Sequence, residues 1–425
     1  SRKRFNAYPI YLIMEGAHGL IFHTIVTVNL VYHVTVVGLN PLQLILVGTV
    51  LEASVLLLEI PTGVVADVYS RRLSIILGFL LMGAGFFLEG ASPLFATVLL
   101  AQVIWGVGAT FLSGATEAWI ADELSQNGAE GELVLGRAFL RGAQFNQAGA
   151  LLGIGLSVAL ASIYVTAPII TGGVLFIALA LFLIRFMPED GFSPTPRQEG
   201  TSWHAMGQTL QSGLQLVRVR PILPAILGIT LILGLASEGF DRLWTAHILE
   251  NFTLPALGGL APIVWFGLID AVAMVLSMGA AELARRTIDT TRQQTVVLVL
   301  IGLNAAIMIG IISFALTMHF SLALLAYWLS QALRTTRHPL YMAWINRQLE
   351  SRVRATVLSL NGQADALGQI AGGPPVGIIG TIYSLRAALV VTGAILAPAL
   401  ALYARTLRQL PQPATPDDKL GTSGD

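Results

Sequence analysis

A chain of 425 residues that is 55% hydrophobic and only 11% charged cannot be an ordinary water-soluble domain, in which roughly 25% of residues are charged. Its formal net charge is zero, which argues against nucleic acid as a partner. It has no cysteine, so disulfides, thiolate metal sites and thiol catalysis are excluded.

The apolar residues fall into about twelve runs, each near or above the roughly 20 residues that a helix needs to cross a bilayer. The first, 8–31, is too long for a cleavable signal. It carries Glu15 and His18 one turn apart on neighbouring positions. Glu15 is a candidate proton carrier or a loop cap, and His18, His23 and His33 read as packing or interfacial residues, since no metal-type spacing joins them. The second run, 42–65, places Glu52 and Glu59 two turns apart on one face, Glu52 being the deeper. The third, 73–88, has no charge. The fourth, 94–121, holds Gln102 to Ala109 as QVIWGVGA and then Glu117, and the fifth, 138–161, includes QAGALLGIG from Gln147 to Gly155.

The sixth run, 167–186, closes a first half, and 187–220 reads as a cytoplasmic linker whose later part suits an amphipathic helix. The seventh run, 222–247, contains SEGFDRLW, with Glu238, Asp241 and Arg242 close together. Glu238 and Arg242 are spaced to pair along the helix, either as an outer gate or in contact with a substrate. In the eighth, 262–283, Asp270 stands alone and needs a partner across a helix interface. The ninth, 294–318, has no central charge. Arg334 lies in the middle of the tenth, 321–345, with Arg337 and His338 one turn on. Arg334 is placed to bind an anion or to neutralise Asp365 of the eleventh, 356–382. That run also contains GGPPVG, Gly372 to Gly377, a hinge or a close-packing surface. The twelfth, 387–403, precedes a tail at 411–425. The expected organisation is a six-helix bundle over 1–186, the linker, a second bundle over 221–410, and the tail.

Arginine and lysine gather in the loops at one end, from Arg2, Lys3 and Arg4 through Arg71, Arg72, Arg285 and Arg286 to Arg405 and Arg408, whereas the opposite loops hold little but Arg386. This bias places both termini in the cytoplasm and the chain in the cell membrane. The halves echo each other: Arg71-Arg72 and Arg137-Ala138 recur as Arg285-Arg286 and Arg354-Ala355, at offsets of 214 and 217 residues. Internal symmetry of this kind marks secondary transporters. Charges occur in runs one, two, four, seven, eight, ten and eleven and not near the centres of three, six, nine and twelve. Since charge at bilayer depth must face protein or water, every third helix is expected to face lipid while the rest enclose a wet path.

The stretch GVVADVYSRR, with Gly63, Asp67, Arg71 and Arg72, resembles the loop between helices two and three of the major facilitator superfamily. Val68 and Ser70 depart from its usual basic residue and glycine, and the second-half counterpart, GAAELARR from Gly279 to Arg286, is more degraded. The resemblance implies twelve helices in two pseudo-symmetric bundles, an all-α membrane protein. It also implies a charge latch in which Asp67 accepts from helix N-terminal amides and an arginine, and a cavity lined by helices one, four, seven and ten. Gln102 stands where proton-coupled members carry an arginine, which excludes coupling through that residue. Helix five lacks the Gly-Pro pair of antiporters. SGATEAWIADEL and NRQLESRVRATVLSL resemble bacterial drug-efflux-like members.

No Walker A sequence or metal constellation appears, so neither enzyme activity nor a cofactor or metal is expected. The reading is an alternating-access transporter, monomeric in the lipid bilayer, moving a small-molecule substrate. Because the in-span charges are mostly carboxylates, that reading extends to proton-coupled efflux of cationic or amphiphilic compounds. Uptake or facilitation of a metabolite or lipid-like solute, and a non-transporting receptor or scaffold, stand as alternatives.

Overall fold

The computed structural model describes residues 6–125, 129–194, 222–349 and 351–409. The later part of the expected linker, the tail at 411–425 and the N-terminal basic residues Arg2 to Arg4 lie outside the described residues. Every regular element described is helical. The first half comprises α1 (Ala7–Thr35), α2 (Pro41–Val64), α3 (Arg71–Ala91), α4 (Phe95–Leu112), α5 (Ala115–Ser125), α6 (Ala129–Ala161) and α7 (Ala167–Phe186). The second comprises α8 (Leu223–Asn251), α9 (Val264–Thr287), α10 (Gln293–Leu316), α11 (Phe320–Gln348), α12 (Ser351–Ile382), α13 (Leu385–Ala394) and α14 (Ala397–Gln409). The fourth and twelfth runs are each two helices, α4 with α5 and α13 with α14, so among the described residues fourteen helices make twelve spans.

Local chemistry sets several ends. Asn40 and Gln43 form a reciprocal capping box at the start of α2, with Pro41 in its first turn. The Ser70 hydroxyl accepts from the Leu73 amide at 2.9 Å and starts α3. Between them a single π-helical turn, Val65–Tyr69, carries Asp67. Nine spans among the described residues are long and apolar enough to cross a membrane. The remaining three, α6, α11 and α12, have ample length but are interrupted by polar groups such as Asn146, Arg334, Arg337 and Asp365. Such groups survive at bilayer depth by facing the interior.

The two halves repeat one packing device. In the first, Gly19 of α1 abuts the Asn146 carbonyl of α6, while Gly149 and Gly153 of α6 abut the Gly16 and Leu20 carbonyls. In the second, Gly234 of α8 abuts the Asp365 carbonyl of α12, while Gly368 and Gly372 abut the Leu231 and Leu235 carbonyls. A side chain at any of these positions would collide with backbone, so small residues alone permit the approach.

Contact between the halves concentrates at the end away from the N-terminus. The amide of Leu42, in the first turn of α2, donates to Thr381 Oγ1, in the last turn of α12, at 3.0 Å. Cβ atoms built on Gly373 and Gly377 would lie 2.7 Å from Ile45 Cγ2 and 2.9 Å from Leu42 Cα. On the other side of the bundle, Gly267 near the start of α9 meets Val158 near the end of α6. At the opposite end Gly63, Gly136, Gly279 and Gly362 have no such neighbour. The molecule is therefore a V, closed at the far end and open toward the end bearing the N-terminus. GGPPVG lies within an unbroken α12 and serves this close packing.

The lipid-facing expectation is corrected at α3. It packs against α4 and α7 and buries Phe79, Met82 and Phe86 together with Glu89. Glu89 sits one residue beyond the apolar run at 73–88.

Candidate functional site

A cavity of about 540 Å³ opens within the first half, in the size range of small-molecule sites. Its wall takes Glu15 and His18 from α1, Trp105 from α4, Glu117 from α5 and Asn146 from α6, with Phe22 and Phe79. The fourth span is what makes room: it breaks at Ser113 and Gly114, the glycine at φ +70°, a conformation that disfavours a side chain. The break starts α5 afresh with Glu117 in its first turn, where the helix dipole favours an anion. Glu117 counted among the in-span charges of the sequence but had no assigned role, because an apolar run does not reveal a break.

Glu15 Oε2 accepts from Asn146 Nδ2 at 3.2 Å. Among the described residues neither Glu15 nor Glu117 pairs with a cation, and each lies within electrostatic reach of the other. The aromatic side of the wall is built from Phe22 and Trp105, 6.1 Å apart, with Phe86 4.8 Å behind Trp105. His18 is held edge-on by Phe22 and Phe79 at 5.9 and 5.7 Å. Two carboxyls thus face an aromatic wall, an arrangement with the chemistry to hold a cation.

A second group lies where the halves meet. Arg242 Nε donates to Glu238 Oε2 at 3.2 Å, and this pair rests on Gly48 of α2, where a Cβ would meet both side chains. Glu52, one turn from Gly48, has no salt-bridge partner among the described residues and feels Glu238, Arg242 and Asp365. Among the described residues Asp365 accepts only from Gln369 on its own helix, at 2.9 Å. Glu59 is exposed. Asp270 lies near Thr27 of α1, on the opposite half, but Thr27 Oγ1 makes no hydrogen bond among the described residues, so the expected partner across the interface is not formed.

The expected pairing of Arg334 with Asp365 is corrected. Arg334 is held by Asp241 of α8 through two bonds of 2.5 and 2.7 Å. Gln331 supports it at 3.2 Å, and the Phe240 ring lies 5.3 Å below. The fork geometry of guanidinium and carboxylate, facing each other from α11 and α8, captures Arg334 before Asp365 can. Arg337 instead donates to Asn304 at 3.1 Å. Asp241→Ala strands Arg334 without its hydrogen-bonded counter-charge. The cost is about 2 kcal/mol, below that of a fully buried pair because the Asp241 side chain is 42% exposed. A lower thermal midpoint in detergent, recovered in Asp241→Ala/Arg334→Met, is the expected result; an unchanged midpoint counts against it.

The comparisons with known proteins can be set on this geometry. Residues 11–333 match the family model described as Major Facilitator Superfamily. The chain belongs to the Major Facilitator Superfamily. The "Uncharacterized MFS-type transporter YxaM" of Bacillus subtilis (strain 168) is 25% identical over 372 residues, 85% of this chain and 86% of that protein. Among solved structures, the nucleoside transporter NupG aligns with a TM-score of 0.76 at 12% identity, covering 96% of this chain and all of that one. A bacterial homolog of the human lysosomal transporter Spinster, inward-facing and unoccupied, aligns at 0.70 and 14% over 95% and 96%. Peptide transporter POT in complex with sulfate aligns at 0.72 and 15% over 95% of each. At such identities the structures speak for the fold alone. The family makes the chain a membrane transporter rather than an enzyme.

Within the superfamily the latch stretch has its own arrangement. Asp67 is exposed on the π-helical turn and has no hydrogen bond or ion pair among the described residues, so the expected bonds from helix amides and arginine are not made. Arg71 instead pairs with Asp122 of α5 and donates to the Ala118 carbonyl at 2.7 Å. Arg72 donates through its amide to Glu189 at 2.9 Å, and Ser70 bonds the same carboxylate at 2.7 Å. The guanidinium groups bond within their own half, Arg72 through its donation to the Ile184 carbonyl at 2.5 Å, although the Nε of each is buried without a hydrogen-bond partner. In the counterpart stretch Glu282 binds Arg285 and Arg286 at 2.7 and 2.6 Å along one exposed helix. Gln102, at the superfamily's arginine position, is buried and donates to Glu89 at 2.9 Å.

Proposed function

We propose that this transporter exports small organic cations with an aromatic or apolar body across the cytoplasmic membrane in exchange for protons, with both termini in the cytoplasm. The observation that carries the reading is the cavity of Glu15 and Glu117, two carboxyls that have no cationic partner among the described residues, against Phe22 and Trp105. A desolvated ammonium or phosphonium group supplies the missing charge, and its apolar body covers the rings.

In the open state the cavity takes a cation from the cytoplasm as its carboxyls release protons. Closing that end and opening the other presents the cation to the outside, where protons replace it. Glu52, Asp270 and Asp365 are the proposed proton carriers along the seam, since carboxyls at membrane depth that no arginine neutralises mark proton pathways. Glu238 and Arg242, seated on Gly48, act as the outer gate, and Arg334 with Asp241 ties α11 to α8 as the second half moves. Gly63, Asp67, Arg71 and Arg72 form the opposite latch, with Asp67 poised for the state in which the cytoplasmic end closes.

The test is equilibrium binding to purified protein across a panel of one aromatic cation (tetraphenylphosphonium), one aliphatic cation (tetrabutylammonium), an organic anion, a nucleoside and a dipeptide. The last two are chosen because similar structures include a nucleoside transporter and a peptide transporter. The expected order places the aromatic cation first, with binding that strengthens as pH rises from 5 to 8. Preference for the anion or nucleoside, or binding indifferent to pH, rules the reading out.

A further inference from the structure

Behind the cavity, at the closed end of the first half, lies a polar cluster that the transport path does not use. Glu89, in the last turn of α3, is fully buried. Its Oε1 accepts from Asn29 Nδ2 and His33 Nε2, both at 2.7 Å, and its Oε2 accepts from Gln102 Nε2 at 2.9 Å. The Tyr32 hydroxyl adds a bond to the Glu89 carbonyl at 2.6 Å. One residue of α3 thus holds α1 through three side chains and α4 through one. Tyr32, His33 and Gln102 are themselves buried, so unmaking any of these bonds leaves a stranded polar group.

What those arms hold is the aromatic wall. Phe22 precedes Asn29 by seven residues and shares its face of α1, while Trp105 follows Gln102 by three and shares its face of α4. Phe86, three residues before Glu89 on α3, packs on Trp105 at 4.8 Å. Gly85 lets the backbones close in, since its Cβ would stand 3.0 Å from the Ala101 carbonyl and 3.2 Å from the Trp105 amide. The ring separation in the cavity is therefore fixed by how far apart Glu89 keeps α1 and α4.

We infer that Glu89 is a positioning residue for the substrate cavity: by clamping Asn29 and His33 of α1 and Gln102 of α4, it sets Trp105 against Phe22 at the spacing that an aromatic cation requires. The inference rests on the cation reading above and extends it to selectivity. A merely structural brace, by contrast, lowers stability or turnover without choosing among cations.

Two variants separate the cases. Glu89→Leu keeps the volume and removes every acceptor. Glu89→Gln keeps one acceptor oxygen, and because Gln102 Oε1 is buried without a hydrogen-bond partner, Gln102 can turn over to receive the new amide. In proteoliposomes, Glu89→Leu is expected to raise KM for tetraphenylphosphonium about tenfold, as loss of a desolvated cation–ring contact does. KM for tetrabutylammonium should stay within about twofold and Vmax should hold, whereas Glu89→Gln should restore most of the loss. Glu89→Leu should add nothing to Trp105→Leu, because both remove the same contact. Gln102→Leu, which cuts only the α4 arm, should reproduce the selective shift if Glu89→Leu folds poorly. An equal rise in KM for both cations, or a fall in Vmax alone, overturns the inference.

A readout independent of transport keeps it testable should neither cation move. In protein labelled with 5-fluorotryptophan at its seven tryptophans, the resonance lost in Trp105→Phe should shift in Glu89→Leu and return in Glu89→Gln. A Trp105 resonance unmoved by Glu89→Leu refutes the clamp, whatever the protein transports.

Discussion

Replacing Glu15 and Glu117 by glutamine is expected to weaken binding of an aromatic cation about thirtyfold each and about a thousandfold together, the scale of losing desolvated charge contacts. The expectation follows from the cavity as built: the two carboxyls are its acidic groups, and among the described residues no lysine or arginine lines it. Glutamine keeps the shape and leaves a hydrogen-bonding group beside Asn146, so the fold should survive, with an unchanged thermal midpoint as the control. Isothermal titration with tetraphenylphosphonium measures the effect. A double variant that binds within about threefold of wild type would remove these carboxyls from the site.

The second large effect concerns the closed end. Gly48→Leu pushes a side chain into the Glu238–Arg242 pair, and Gly377→Leu pushes one into the α2 backbone, whose Leu42 Cα stands 2.9 Å from a Cβ at that position. Overpacking of this kind costs about 1–3 kcal/mol, and it is charged only to the state in which the ends meet. The equilibrium should move toward opening at that end by about tenfold or more per site. The chain has no native cysteine, so a single introduced cysteine reports cleanly. Leu42→Cys, sheltered against α12 in the parent, should be alkylated by an impermeant maleimide at least about tenfold faster in either glycine variant. An unchanged rate would mean that these glycines do not set the gate.

Much of this architecture was legible in the chain because the bilayer imposes a coarse rule: an apolar run of sufficient length spans. The repeat of Arg71-Arg72 at Arg285-Arg286 announced two halves, and the glycines of α6 and α12 turned out to serve the same close approach in each. Partnerships were not legible. Arg334 chose Asp241 over Asp365, and Arg71 chose Asp122 over Asp67, because such choices depend on which helix faces which, and no spacing along one helix encodes that. The break at Gly114 was hidden inside an apolar run, yet it places Glu117 in the cavity. Glu89 escaped for the opposite reason: it stands one residue past an apolar run, where a buried carboxyl and a loop carboxyl look alike.

The measurement that bears most directly on cation-for-proton exchange is uptake of radiolabelled tetraphenylphosphonium into inverted proteoliposomes with an acidic interior and the membrane potential clamped. Wild type should accumulate the cation while the gradient lasts and release it when the gradient collapses, and Glu15→Gln/Glu117→Gln should not accumulate it. Equal entry with and without the gradient, or undiminished accumulation by the double variant, would contradict the account.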